Sequence, residues 1–215
     1  MLPFFADLVM RTDEARRDFE THPVVLDAVA NGMSIERYRS LLLELYHVVW
    51  HFNPICAAAA SRVTDADREV RYFLYEHMHE ESGHEQWVMN DLEALSVDAD
   101  TVRAHTPSHD TLLLTGYNHW AADRRHPCAV LGMMYTLEVI ASVYGGTFAS
   151  AIRDSLLLDG ERGISFISSH ATLDAQHMVT LRKVLNTLGD DAARDAVTES
   201  TLLNFHQITR IFSAV

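Results

Sequence analysis

Residue types that bind metal ions recur on one predicted helix late in the chain, where His170, Asp174 and His177 stand at positions i, i+4 and i+7. At about 100° per residue, their three directions lie within about 60° of one another. Apolar residues such as Ile167 and Leu181 share this face, which predicts that it turns towards the core. A buried charge without a partner costs several kcal/mol. The segment therefore indicates either a metal site or a buried, hydrogen-bonded Asp–His pair.

Glu81 and His84 form a second candidate pair, three residues apart on the apolar line of another predicted helix. A carboxylate and an imidazole one turn apart reach the same pair of metal ions, and helical di-iron proteins use the Glu-x-x-His spacing for that reason. The motif alone is common by chance. Together with the Asp174-x-x-His177 spacing it becomes a repeated pattern, which favours a shared metal site.

Glu138 is the single charged residue between Ala129 and Ile152, in the most apolar stretch of the chain. An ionised carboxylate in such a helix needs a positive partner. A metal ion would meet this need, and so would an arginine or a position at the edge of the helix. We interpret Glu138 as a further metal ligand.

Three polar residues, Glu44, His47 and His51, share one face of another apolar helix. We predict that this face forms a wall of the active-site cavity and that the three residues take part in catalysis. Whether one of them contacts metal stays open, and the two histidines are also compatible with a supporting position in the core.

The metal candidates combine carboxylate oxygen with imidazole nitrogen, a set that suits iron or manganese and not a thiolate zinc site. With Glu44 included, four carboxylates would balance the charge of two divalent cations. The helical template for such a site takes a lone Glu from each of two helices and a Glu-x-x-His from each of two others. The sequence matches this template with Asp174 in place of one Glu and with His170 as an extra ligand.

Helices are the elements that must position these residues. The chain has 215 residues, 48% of them hydrophobic, with nine Gly and five Pro, and its apolar periodicity is helical throughout. We predict a single all-α domain over residues 1–215 with about seven to eight helices. Helices are expected at 6–20, 35–62, 65–95 and 161–188. The stretch 127–152 is expected to be a core helix and not a membrane span.

Acidic residues outnumber basic ones by 30 to 17, which gives a net charge of −13. Such a surface repels phosphate backbones and anionic lipid, so we expect neither nucleic-acid nor membrane binding. Cys56 and Cys128 lie in apolar helical context, which predicts buried thiols in a reducing compartment. Since the first residues do not form a signal peptide pattern, we expect a cytoplasmic protein. The sequence is compatible with either a monomer or a homodimer.

The order of the metal candidates resembles that of a known family: a Glu and a His on one core helix, a lone Glu on a later helix, and then His-x3-Asp-x2-His. The family is that of the haem-oxygenase-like di-iron oxidases and oxygenases, described broadly as iron-containing redox enzymes. It shares a superfamily with thiaminase II and the pyrroloquinoline-quinone synthesis oxidase. The resemblance covers residues 38–188 approximately, and the matching residues are Glu81, His84, Glu138, His170, Asp174 and His177.

The resemblance implies a haem-oxygenase-like bundle that binds two iron ions, or one iron and one manganese. It also implies that the protein uses O2 to oxidise a small organic substrate. The first three of the matching residues would hold one metal and the last three the other, with Glu138 or Glu44 as the bridge.

Two other activities of the superfamily are disfavoured. Glu44-x-x-His47-x-x-x-His51 is similar to the Asp-x-x-Tyr-x-x-x-Tyr face of the thiaminase II pocket, but Glu138 stands where thiaminase II has its nucleophilic Cys. Haem cleavage needs a proximal His near the N-terminus, and His22, at a predicted helix break, is a poor candidate. The remaining alternative is a metal-free small-molecule-binding member of the same fold, or a thiaminase-like or cofactor-synthesis-like member, without redox activity.

Overall fold

Helices account for nearly all regular structure in the computed structural model, which describes residues 2–215 apart from the side chain at position 175. Within this part of the chain there is no strand, so the all-α prediction is confirmed. The α-helices in chain order are α1 Phe4–Arg11, α2 Asp13–Glu20, α3 Pro23–Asn31, α4 Ile35–Arg62, α5 Arg68–Glu80, α6 His84–Ala94, α7 Ala99–Ala104, α8 His109–Arg124, α9 Val130–Ile140, α10 Gly146–Leu156, α11 Ser165–Leu185 and α12 Asp191–Ala214. A π-helical segment, Ala141–Gly145, joins α9 to α10.

The described chain has twelve α-helices where seven to eight were predicted, because several predicted helices are interrupted. The predicted helix 6–20 divides at Thr12, whose hydroxyl donates to the carbonyl oxygen of Leu8 at 2.8 Å. The predicted helix 161–188 is shorter and runs from Ser165 to Leu185. These differences leave the fold class unchanged.

One interruption matters for function, because it divides the predicted helix 65–95 between Glu81 and His84. α5 ends at Glu80 and α6 begins at His84. Gly83, just before α6, has φ = 95°, in the left-handed region that residues with a side chain rarely adopt. Glu81 therefore follows the last turn of α5, while His84 occupies the first turn of α6.

The core helices converge on the middle of α9. α9 packs against α11 and α12, whereas α4 packs against α5, α6 and α8. α11 also contacts α5, α6 and the π-helical segment. Fully buried side chains such as Leu42, Leu131 and Phe205 fill the space between these helices. This packing brings the facing ends of α5 and α6 close to the middle of α9 and the central turns of α11.

In the part of the chain that the structure covers, Pro127–Leu156 is the one segment whose length and composition would suffice to cross a membrane. Of its most apolar window, 67% is buried inside the protein. Its middle carries Glu138, which is 5% exposed. The segment therefore packs as a core helix, as the sequence predicts.

Candidate metal centre

The carboxylate of Glu81 lies at the centre of the site and presents its two oxygens to different groups of side chains. Oε2 is 2.7 Å from Nδ1 of His84 and 3.6 Å from Nε2 of His170. Oε1 is 3.6 Å from Nδ1 of His177 and 3.8 Å from Nε2 of His77. A carboxylate placed in this way can bridge two metal ions.

The first group consists of Glu81, His84 and His170, whose facing atoms all lie within 4.8 Å of one another. Nδ1 of His84 and Nε2 of His170 are 3.1 Å apart. Nδ1 of His170 donates to the carbonyl oxygen of Phe166 at 2.8 Å, and this bond holds the ring with Nε2 directed at Glu81. Such a hydrogen bond from the outer nitrogen is the usual support of a metal-bound histidine.

The second group joins α5, α9 and α11. Nδ1 of His177 lies 3.3 Å from Oε1 of Glu138 and 3.4 Å from Oδ1 of Asp174. Nε2 of His77 lies 3.5 Å from the same Glu138 oxygen. On the opposite side of the His177 ring, Nε2 is 3.4 Å from Oε2 of Glu80, a residue at the protein surface. The group thus offers two carboxylates and two imidazoles around one point, beside Oε1 of Glu81.

Four atoms of the second group are buried and lack a hydrogen-bond partner among the described residues. The four atoms are His77 Nε2, Glu138 Oε2, Asp174 Oδ1 and His177 Nδ1. The short separations given above do not have the angles of hydrogen bonds. A buried polar atom without a partner costs free energy, and a cation beside Nδ1 of His177 would give these side chains a shared partner. The donor set fits a divalent iron or manganese ion.

The pKa values of these side chains reflect crowding of charge in a buried place. Burial raises the pKa of Glu138, and the nearby Asp174 carboxylate adds to this effect. The adjacent carboxylate of Asp174, and then that of Glu138, raises the pKa of His177 to about 10, because both favour the charged imidazolium. Burial lowers the pKa of His77 to about 4. For Glu81, burial favours the neutral form, but the adjacent imidazoles of His170 and His84 favour the carboxylate, outweigh burial and hold the pKa well below its usual value.

Metal binding should release protons at neutral pH. In the metal-free protein the pKa of His177 is about 10, so its ring is protonated at pH 7 and must lose a proton before it can bind a metal. Glu138, whose pKa is also raised, adds to the release. The apparent metal affinity should therefore increase as the pH rises from 7 towards 10 and decrease on acidification.

Calorimetric titration with Mn²⁺ in two buffers that differ in ionisation enthalpy measures this release. We expect about one proton or more per chain at pH 7. An equal heat in the two buffers would show that His177 does not exchange its proton for a metal.

The structure brings together all six residues that the sequence singles out as metal ligands, but it groups them differently. His170 lies with Glu81 and His84, whereas Glu138 lies with the residues that follow His170 on α11. Glu81 is the carboxylate whose two oxygens face both groups, whereas the sequence suggests Glu138 or Glu44 as the bridge. The difference arises because His170 is one to two helical turns away from Asp174 and His177 and so reaches the level of α6.

His77 is a member of the second group that sequence reasoning missed. It is 2% exposed and stands four residues before Glu81, so the two side chains project from the same face of α5. That spacing was the available signal. It is obscured by His79 and Glu80, which belong to the same polar run but lie on the surface.

The predicted catalytic face of α4 does not reach the metal centre. Ser108 donates its N–H and its hydroxyl to the carboxylate of Glu44, at 2.9 to 3.2 Å, so Glu44 secures the start of α8. His47 pairs with His105 at 3.1 Å, and His51 pairs with His119 at 3.0 Å. Glu44, His47 and His51 are not in the described wall of the cavity beside the metal centre. The prediction that they form this wall is corrected.

The physical reason is that the face of α4 that lines the cavity is offset by one residue from the predicted face. The side chains of α4 that face the metal centre are apolar, namely Leu45, Val48, Val49 and Phe52. A shift of one residue turns a helical side chain by about 100°. The polar face that includes Glu44 is therefore directed towards α8, where the histidine pairs are partly buried.

Asp91 connects the two helices that carry the first group. It lies on α6, is 2% exposed, and accepts hydrogen bonds from the N–H of Ser165 at 2.9 Å and of Phe166 at 2.8 Å. The hydroxyl of Ser165 also donates to Asp91, at 2.8 Å. Asp91 thus satisfies the first N–H groups of α11 and fixes this helix beside α6.

The Asp91→Ala variant should be destabilised by about 2–4 kcal/mol, because two buried N–H groups lose their acceptor together with the cap of α11. Urea denaturation measures the change. Asp98→Ala is the matched control. Asp98 caps the short helix α7 by accepting from the N–H of Thr101 at the surface. The free energy of unfolding should therefore decrease less in this variant than in Asp91→Ala. Equal losses in the two variants would contradict this structural role of Asp91.

Comparison with known proteins places these observations in context. The model of a family described as iron-containing redox enzymes matches residues 39–203, which include every residue of both groups. No curated protein sequence matches the chain significantly.

Solved structures share the whole fold at low sequence identity. A domain of unknown function with a haem-oxygenase-like fold from Shewanella denitrificans OS217 has a TM-score of 0.87 and 20% identity, covering 100% of this chain and 92% of the other. A TenA homologue from Pseudomonas syringae pv. tomato has a TM-score of 0.83 and 12% identity, covering 98% and 91%. Haem oxygenase-1 from Synechocystis sp. PCC 6803, in complex with haem, has a TM-score of 0.80 and 16% identity, covering 99% and 92%. The predicted haem-oxygenase-like fold is therefore confirmed.

Proposed function

Because this chain belongs to the family of iron-containing redox enzymes, we propose that it is a di-iron oxidoreductase that uses O2 to oxidise a small organic substrate. The observation that carries the proposal is the position of Glu81, whose two oxygens face two separate sets of metal-binding atoms. Iron in both positions is the first choice, and one iron with one manganese is compatible with the same ligands.

The three carboxylates and four imidazoles of the two groups would hold the metal pair. Glu81 would serve both positions, His84 and His170 would complete the first, and the second group would complete the other. The chemistry that a bound ferrous pair would supply is the delivery of electrons to O2. The negative charge of the carboxylates compensates most of the charge of two divalent ions, which makes their burial tolerable.

The chain itself controls water and protons at the centre. Val48, Phe52 and Ile167 lie in the cavity wall beside the ligands and exclude bulk water from the substrate side. On the other side, Nε2 of His177 faces Glu80, whose side chain is 57% exposed. A proton on this nitrogen has a direct route to a carboxylate in contact with solvent, while Nδ1 remains directed at the metal position.

Metal analysis together with O2 consumption tests the proposal. Protein loaded anaerobically with Fe²⁺ and freed of excess metal should contain about two irons per chain. On exposure to O2 it should consume O2 faster than the same amount of iron in buffer. A chain that retains no iron under these conditions, while it remains folded, would instead support a metal-free binding role for this fold.

The expected surroundings of the enzyme follow from its thiols. Cys56 and Cys128 are free and buried. Burial raises the pKa of both thiols, which keeps them protonated and unreactive. Free thiols are typical of a reducing compartment, so we propose a cytoplasmic location, with O2 and a small molecule as the reaction partners.

A further inference from the structure

A cavity of about 150 Å³ borders the metal centre and extends between α2, α3, α4, α10 and α12. Apart from Tyr144, the polar residues of its wall lie at the metal end, and they include His77, Glu81 and Glu138. The far end is formed by Phe19, Val25, Val29, Phe148, Ile208 and Phe212. One end of the cavity therefore faces the metal-binding side chains, and the other end is apolar.

The one hydroxyl in the remaining wall is already engaged. Tyr144 lines the cavity, and its hydroxyl donates to the carboxylate of Glu20. Glu20 in turn forms an ion pair with Arg16 at 3.0 Å. Among the described residues of the wall there is no Lys or Arg. A charged group in the far end of the cavity would therefore find no partner of opposite charge, and a hydroxyl there would find no acceptor or donor other than the oxygen of Tyr144.

From this cavity we infer the class of substrate; the inference rests on the proposed function. The substrate carries an uncharged, apolar group of about six carbons, the size of molecule that a dry cavity of this volume accepts. That group occupies the far end, between α3 and α12, and the reacting carbon faces the metal centre. Substrates with a charged tail, such as basic amino acids, are excluded because the buried charge would be uncompensated.

Two small probes test this class directly. Hexan-1-ol can place its hydroxyl at the metal end and its chain in the apolar end. Hexane-1,6-diol has the same length, but one of its hydroxyls must leave water for the apolar end, where at most one of its hydrogen bonds can be replaced, by the oxygen of Tyr144. We expect hexan-1-ol to bind about tenfold more tightly or better, measured by calorimetric titration and by thermal shift.

A substitution at the far end of the cavity tests whether hexan-1-ol binds there. Val29→Trp fills the cavity from α3 and should weaken hexan-1-ol binding by about tenfold or more, because the chain is displaced. Leu26→Trp is the matched control on the same helix, since Leu26 is 53% exposed, and it should bind as the unmodified protein does. The comparison of the two probes on the unmodified protein stands even if the Val29→Trp variant does not fold.

Equal affinity for the two probes, or unchanged hexan-1-ol binding in a folded Val29→Trp variant, would overturn the inference. The measurements are made both without iron and with Fe²⁺ under anaerobic conditions. Failure of the proposed function would appear separately, as the absence of bound iron in a protein that still prefers hexan-1-ol. Failure of the substrate class would leave two irons per chain and no preference between the probes.

Discussion

The Glu81→Gln variant is expected to lose both iron ions, a larger effect than any other single ligand substitution should have. Glu81 supplies one oxygen to each position, and the amide has a single oxygen and no charge. Each position should then bind iron at least about 100-fold more weakly. Elemental analysis after anaerobic loading with Fe²⁺ and gel filtration should show almost no iron in place of about two ions per chain.

Two further variants make this result specific. His170→Ala removes a ligand from the first group only and should retain about one iron per chain. Glu76→Gln, which changes an exposed glutamate on α5, should keep about two. Retention of both irons by Glu81→Gln would exclude the bridging position of this carboxylate.

Metal binding is expected to raise the melting temperature by roughly 10–20 °C. At a free metal concentration 100 times the Kd, each site adds about 2.7 kcal/mol of stability by mass action, and about 1 kcal/mol moves the midpoint of a chain of this size by about 2–4 °C. This gain includes the free energy released when the metal becomes a partner of buried atoms that lack one in the described structure, such as Oδ1 of Asp174. Differential scanning calorimetry with and without Mn²⁺ or anaerobic Fe²⁺ measures it.

The Glu81→Gln variant serves as the control for this effect as well. Its melting temperature should be nearly independent of added metal, because neither position retains its affinity. An equal rise in this variant would show that the metal acts at the protein surface. No rise in the unmodified protein would mean that the buried group of His177 and its neighbours is stable without a cation.

Most of the candidate centre follows from helical periodicity. His170, Asp174 and His177 lie on the apolar face of their helix, and the periodicity alone predicts that this face is buried. Glu138 was recognisable because a lone charge in an apolar helix needs a partner. The way in which these residues combine depends on the relative heights of α5, α6 and α11, which the spacing within one helix does not specify. That is why the grouping, and the bridging position of Glu81, required the structure.

Two other features were beyond the reach of periodicity. α4 is apolar on more than one side, so the sequence did not distinguish the face that lines the cavity, with Val48 and Phe52, from the face that includes His47 and His51. The break at Gly83 was also missed, because a single glycine within a helical pattern is tolerated in many helices. Here the break separates Glu81 from His84 and still keeps them 2.7 Å apart.

The most direct test of the account is the magnetic state of two bound metal ions. Mn²⁺ added anaerobically to two equivalents should give an electron paramagnetic resonance spectrum of a coupled pair, since one carboxylate bridge holds two ions about 3.5–4 Å apart. The same titration of Glu81→Gln should not give that spectrum. Binding of a single Mn²⁺ per chain, or of two ions with the spectra of isolated Mn²⁺, would contradict a dinuclear centre bridged by Glu81.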